Sequence, residues 1–288
     1  MLLRLLTLAL ALIAFAAPAA AQNIMDPFNL GPAMDDATVL GQGIAYADGD
    51  RMKLDIYGPK NPTGPAPVVM FIYGGSWKQG QRQDYQFVGR ALAANGFVVV
   101  IPDYRLYPEV TYPSFLEDLA SAAKWTQDNI GKYGGDTARF YLAGHSAGAY
   151  NAVMLGLDGR YLAAAGAEPK AVKALAGLSG PYDFLPLRDP IPRRTFGHYG
   201  DLPQTQPATF VRADSPPAFL ATGDADTVVY PRNTTRLARA LREAGVEVEE
   251  RHYAGVDHVR MVLALSRPLR GRAPVLDEMT AFLHRHAG

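Results

Sequence analysis

Apolar residues in this chain fall into two kinds of run. Residues 68–73 and 97–101 are unbroken hydrophobic stretches, the composition expected of strands covered on both faces of a parallel sheet. Similar strands are expected at 139–143, 172–178, 218–222 and 246–253, while 85–94, 115–129, 149–155, 234–244 and 275–286 read as helices. Earlier in the chain, 43–47 and 52–57 suggest a hairpin around Asp48-Gly49-Asp50. Residues 22–40, rich in Pro, Gly and Asp, read as an irregular arm. Strand and helix therefore alternate from residue 68 onward, the pattern of an open α/β sheet. With no internal repeat and no long linker, residues 22–288 are expected to form one domain.

The alternation breaks at residues 181–217, a proline-rich stretch with polar and aromatic residues and no clean period. An excursion of that length between two core strands commonly builds part of a site, so a small cap or pocket wall is expected there, with a solvated loop as the alternative.

Composition changes the picture at the N-terminus. Residues 1–21 combine a basic start at Arg4, an apolar run and Ala19-Ala20-Ala21, the features of a cleaved export signal. The apolar run is short for a membrane span. The mature chain is expected to be exported, periplasmic or secreted, with no stable membrane anchor after cleavage. Removing Arg4 leaves 27 basic against 28 acidic residues, so no basic field is available for nucleic acid. Arg267, Arg270 and Arg272 read as a solvated loop. The 288-residue chain has no cysteine, which excludes disulfides and thiolate metal sites.

The candidate chemistry centres on Gly144-His-Ser-Ala-Gly148, between the strand at 139–143 and a helix. Gly-x-Ser-x-Gly in that setting is a nucleophile elbow: a turn so tight that Gly144 and Gly148 must lack side chains and Ser146 is lifted clear of the sheet. A serine hydroxyl needs a base, and the base needs a carboxylate to hold it. In an open α/β sheet these arise at the carboxyl ends of strands, in the order serine, acid, histidine. Gly223-Asp-Ala-Asp226 follows the strand at 218–222. Asp226 is assigned as the acid and Asp224 as a turn residue bonding its own backbone. His258 follows the strand at 246–253 and is the candidate base. The other histidines are placed less well, though His198 lies in the excursion and could meet substrate. Donors for an oxyanion are expected from the N–H groups of Ala147, Gly75 and Ser76, with Gly74 allowing the turn. No metal or organic cofactor is required, and the expected partner is a small-molecule ester.

Together, Tyr73-Gly-Gly-Ser-Trp77, Asp103-Tyr-Arg-Leu106, Tyr133-Gly-Gly-Asp136, Gly144-His-Ser-Ala-Gly148, Gly180-Pro-Tyr-Asp183, Gly223-Asp-Ala-Asp226 and His258 resemble the α/β-hydrolase superfamily. Within it they are similar to the small carboxylesterases of the hormone-sensitive-lipase-like, arylformamidase-like and feruloyl/acetyl-xylan-esterase-like groups. The resemblance implies an α/β-hydrolase fold, with a mostly parallel sheet, helices on both faces and a cap-like excursion. It implies ester hydrolysis through an acyl-Ser146 intermediate, and bracing roles for Asp103, Arg105 and Asp183. One departure is Tyr73, where these families usually carry histidine. Amide, formamide or peptide hydrolysis is the rival chemistry within the superfamily. A binding module that keeps the fold without catalysis is the rival of another class.

Overall fold

The apolar runs form the middle of an eight-stranded sheet in the computed structural model, which describes residues 23–287. The expected export signal at 1–21 lies outside the described residues. The strands are β1 (Thr38–Ala45), β2 (Lys53–Gly58), β3 (Ala66–Ile72), β4 (Val98–Pro102), β5 (Gly135–His145), β6 (Val172–Leu178), β7 (Ala218–Gly223) and β8 (Val248–Tyr253). Their spatial order is β1-β2-β4-β3-β5-β6-β7-β8. The pairs β1–β2 and β2–β4 are antiparallel, and every other neighbouring pair is parallel.

Every residue of β3 and β4 is buried, as continuous hydrophobic runs require. The edge strand β8 instead carries Glu249, Glu250 and Arg251, paired to Arg285, Arg242 and Glu278. Charges along an exposed edge discourage pairing with another chain.

The helices are α1 (Gln86–Ala94), α2 (Ser114–Asn129), α3 (Ala147–Leu157), α4 (Arg160–Ala164), α5 (Pro190–Phe196), α6 (Arg232–Glu243), α7 (His258–Leu263) and α8 (Val275–Arg285). Contacts of α1 with α8, and of α2 with α3 and α4, show two groups of helices covering the two faces of the sheet. Between them lies one cluster of buried side chains running from Met25 to Leu283.

Several elements differ from the reading of the sequence. Strand β1 begins at Thr38, inside the stretch read as an irregular arm. Its register against β2 shifts twice, between Val39 and Gly41 and between Gly41 and Ile44, which erases the alternation that marks a strand. Strand β5 starts at Gly135, through polar residues at an exposed end of the sheet. Helices α4 and α7 are too short to show a period. Arg270 is not simply solvated, because its Nη2 donates to Asp35 Oδ2 at 2.5 Å and ties its loop to the N-terminal arm.

Residues 181–217 hold α5 and two 3-10 turns, and they bury Tyr182 and Phe196 completely. The Tyr150 hydroxyl on α3 donates to the Thr205 carbonyl at 2.7 Å. The excursion thus packs against the helix that follows the elbow.

Candidate active site

The elbow is built by close approach. A methyl group on Gly144 would lie 2.3 Å from the Gly148 carbonyl oxygen, and one on Gly148 would lie 2.0 Å from that of Ile72. No side chain fits at either place. Between them Ser146 takes φ 56° and ψ −125°, a strained conformation for a residue with a Cβ. Its N–H donates to Leu178 O at 2.9 Å, and its carbonyl accepts from Tyr150 N at 3.1 Å, so both sides of the turn are anchored.

His258 arrives as the first residue of α7. Asp257 caps that helix by accepting from Arg260 N at 2.8 Å. The imidazole lies between the two expected partners: Nε2 is 2.8 Å from Ser146 Oγ, and Nδ1 is 2.8 Å from Asp226 Oδ2. A carboxylate only accepts, so Nδ1 carries the proton and Nε2 presents a lone pair to the serine hydroxyl. The second carboxylate oxygen of Asp226 accepts the N–H groups of Val228 (3.0 Å) and Val229 (2.8 Å). Burial pushes the Asp226 carboxyl up, but the hydrogen bond and charge of His258 and the Val229 N–H outweigh it and hold the group below its usual value. Asp224 stands apart and exposed, but instead of bonding its own backbone as expected it accepts the Gly255 N–H at 2.7 Å, from the loop after β8.

The strand-to-loop junction at Tyr73-Gly-Gly-Ser-Trp77 passes beside the elbow. A methyl group on Gly74 would come within 2.9 Å of Ser146 Cβ. The loop then turns sharply, with Gly75 O accepting Lys78 N and Gln79 N at 3.1 Å each, and with positive φ at Ser76 (54°) and Trp77 (57°). Among the described residues, the N–H groups of Gly75, Ser76 and Ala147 have no protein acceptor. Two of these unpaired donors lie in the loop that passes beside the elbow, and the third opens α3 directly after Ser146.

Behind the loop, Tyr73 does the bracing. Its hydroxyl donates to Asp103 Oδ1 at 3.0 Å and accepts from Arg51 Nη2 at 2.7 Å, while its ring stacks on Tyr104. Arg82 binds Asp55 at 2.8 Å and also reaches both oxygens of Asp103 through its main-chain and side-chain N–H groups. Arg105 grips Asp118, and Asp183 pairs with Arg236 at 2.9 Å. Asp103, Arg105 and Asp183 therefore brace loops, as the resemblance implied. Arg51, Asp55 and Arg82 carry no motif in the sequence, because only the fold brings them to the loop.

The remaining histidines have other partners. His198 Nε2 lies 2.9 Å from Tyr112 O, which makes it part of the excursion's packing. His252 pairs with Glu250, His284 with Asn95 O, and His286 with Phe282 O. His145 is buried beside the site, with Nε2 2.9 Å from the His258 carbonyl. Among the described residues no group of three His, Asp or Glu is placed to hold a metal ion. No helix among them is long and apolar enough to cross a membrane.

Known proteins are similar to this chain. Isoprenylcysteine alpha-carbonyl methylesterase ICME of rice (Oryza sativa subsp. japonica), named as probable, is 30% identical over 266 residues, covering 84% of this chain and 63% of its own length. Esterase LipC of Mycobacterium tuberculosis is 30% identical over 219 residues, covering 69% of this chain and 54% of its own. This chain therefore spans less than two thirds of either relative. Among solved structures, esterase B of Lactobacillus rhamnosis, inhibited by a tributyrin phosphonate, superposes with a TM-score of 0.76 at 20% identity, covering 88% of this chain and 87% of that one. The metagenomic carboxylesterase EstE1 gives 0.74 at 20% identity, covering 91% and 92%. Both likenesses show the α/β-hydrolase fold. The BD-FAE family model matches residues 54–241, from β2 into α6, a segment that holds the Gly74–Trp77 loop, the elbow and Asp226. On that match, which takes in well over half of its length, the chain belongs to the BD-FAE family.

Proposed function

We propose that this chain is a serine hydrolase that cleaves carboxylic esters through an acyl-Ser146 intermediate. The observation that carries the reading is the His258 ring, 2.8 Å from Ser146 Oγ on one side and 2.8 Å from Asp226 on the other. Ser146 Oγ attacks the ester carbonyl while His258 Nε2 takes its proton. The tetrahedral oxyanion is held by the N–H groups of Ala147, Gly75 and Ser76. His258 then protonates the departing alcohol oxygen, leaving the acyl group on Ser146. Water enters, gives its proton to the same nitrogen and attacks the acyl carbon, and collapse of the second intermediate releases the acid and restores Ser146. Asp226 keeps the ring in the tautomer that both half-reactions use.

Esterase names among the relatives support ester rather than amide cleavage. The features of residues 1–21 support action outside the cytoplasm. The test is hydrolysis of p-nitrophenyl esters together with labelling by a fluorophosphonate, in the full chain and in Ser146→Ala. Hydrolysis and labelling that both vanish in the variant support the reading. An unlabelled, inactive wild-type chain that is folded overturns it.

A further inference from the structure

Trp77 follows the two donor residues Gly75 and Ser76, and its backbone is as strained as that of Ser76, with φ at 57° against 54°. Backbone in that region persists only when surrounding contacts over-determine it. Trp77 has such contacts. Its carbonyl accepts Tyr107 N at 2.7 Å. Its ring meets Tyr150 and Phe196 edge-on, at 5.3 and 4.9 Å between centroids. Its one polar atom, the indole Nε1, donates to Asn151 Oδ1 at 3.1 Å.

Asn151 lies on α3, one turn beyond Ala147, and is completely buried. Indole N–H only donates, so the amide must turn its oxygen to Trp77. That leaves Asn151 Nδ2 buried with no partner. An unpaired amide inside an aromatic cluster is costly, while a leucine of similar size would leave the Trp77 Nε1–H unpaired instead. Packing alone therefore does not account for asparagine at this position. The hydrogen bond to Trp77 does, because it joins two separate elements: the loop that offers Gly75 and Ser76, and the helix whose first N–H belongs to Ala147.

We propose that Trp77 and Asn151 are positioning residues, whose hydrogen bond holds the Gly75–Ser76 donors in register with the Ala147 donor around the same oxyanion. The inference rests on the esterase reading above. Neither side chain touches the reacting atoms. Their effect falls on the intermediate, where the donors must converge to within hydrogen-bonding distance of a single oxygen.

The test uses Trp77→Phe, Asn151→Leu and the double variant. Each single change leaves a buried polar partner alone and should lower stability, whereas the double change replaces both by apolar groups and should recover much of it. A purely structural pair would recover activity along with stability. The positioning role gives a different result: in the double variant kcat stays down by about 10- to 100-fold, a fraction of the effect of deleting a whole oxyanion donor, with KM within about twofold of the wild type. Hydrogen exchange of the amides at 74–80 should rise in the same variant. A double variant that regains both stability and kcat, or whose loop exchanges as slowly as the wild type, overturns the proposal. Should the wild-type chain be folded but lack esterase activity, the failure belongs to the esterase reading, and loop exchange still reports on the tie.

Discussion

The side chain of His145 is bonded to the backbone of His258. Its Nε2–H donates to the His258 carbonyl at 2.9 Å, and the two rings lie 4.9 Å apart. The residue before Ser146 thus holds the main chain of the residue whose imidazole faces the Ser146 hydroxyl. Burial, and next the nearby His258, push the His145 value down to about 3, so this ring stays neutral where His258 works.

This predicts a pH-dependent stability. In the unfolded chain a histidine takes up its proton near pH ~6.5, but buried His145 does so only near 3. Between those values the unfolded state binds more protons, so stability falls as pH falls through the window. At pH 5 the loss from this residue is about 2 kcal/mol. Urea unfolding of wild type and His145→Asn at pH 7 and pH 5 measures it. The variant's acid sensitivity should be smaller by that amount, and equal slopes would count against a neutral His145.

Ser146→Ala should remove about 10⁶-fold of kcat while the chain still folds, since the hydroxyl reaches only His258 Nε2. Circular dichroism alongside p-nitrophenyl ester hydrolysis checks both halves. Activity of more than a few per cent in a folded variant would show another nucleophile.

The two acids of the Gly223-Asp-Ala-Asp226 turn separate by asparagine substitution. Asp226→Asn should lose about 10⁴-fold in kcat, because the amide must keep its oxygen on the Val228 and Val229 N–H groups and so turns its NH2 to Nδ1, forcing the wrong tautomer. Asp224→Asn should keep its activity and cost no more than about 1 kcal/mol, since an amide oxygen can still accept the Gly255 N–H. Steady-state kinetics and thermal unfolding of the pair decide it, and the opposite ranking would reassign the acid.

Gly148→Ala tests the elbow's construction. With a methyl carbon placed 2.0 Å from the Ile72 carbonyl oxygen, β3 and α3 must separate. The expected cost exceeds about 4 kcal/mol, in the range reserved for forced backbone movement. Soluble yield and denaturant midpoint report it, and a variant as stable as wild type would mean the turn is looser than described.

The fold class and the residues that meet at the candidate site were legible in the sequence because their causes are local. Unbroken apolar runs at 68–73 and 97–101 demand burial on both faces whatever surrounds them, and they became the all-buried β3 and β4. Gly144 and Gly148 announce a turn that no other residue fits. Asp226 and His258 follow the last two strands, and in a parallel sheet strand ends converge on one edge, so chain order was enough to bring them to Ser146. The supports of the site come from tertiary structure. Trp77 and Asn151 are 74 residues apart, and His145 bonds a carbonyl 113 residues away. Tyr73, Asp103, Arg82 and Asp55 meet only because β2, β3 and β4 stack side by side. A hydrogen bond between distant residues leaves no period or spacing in the chain, since many side chains could occupy either end until packing selects the partner. Backbone periodicity and steric exclusion set the scaffold and its reacting groups one segment at a time, and close packing of those segments decided what holds the groups in place.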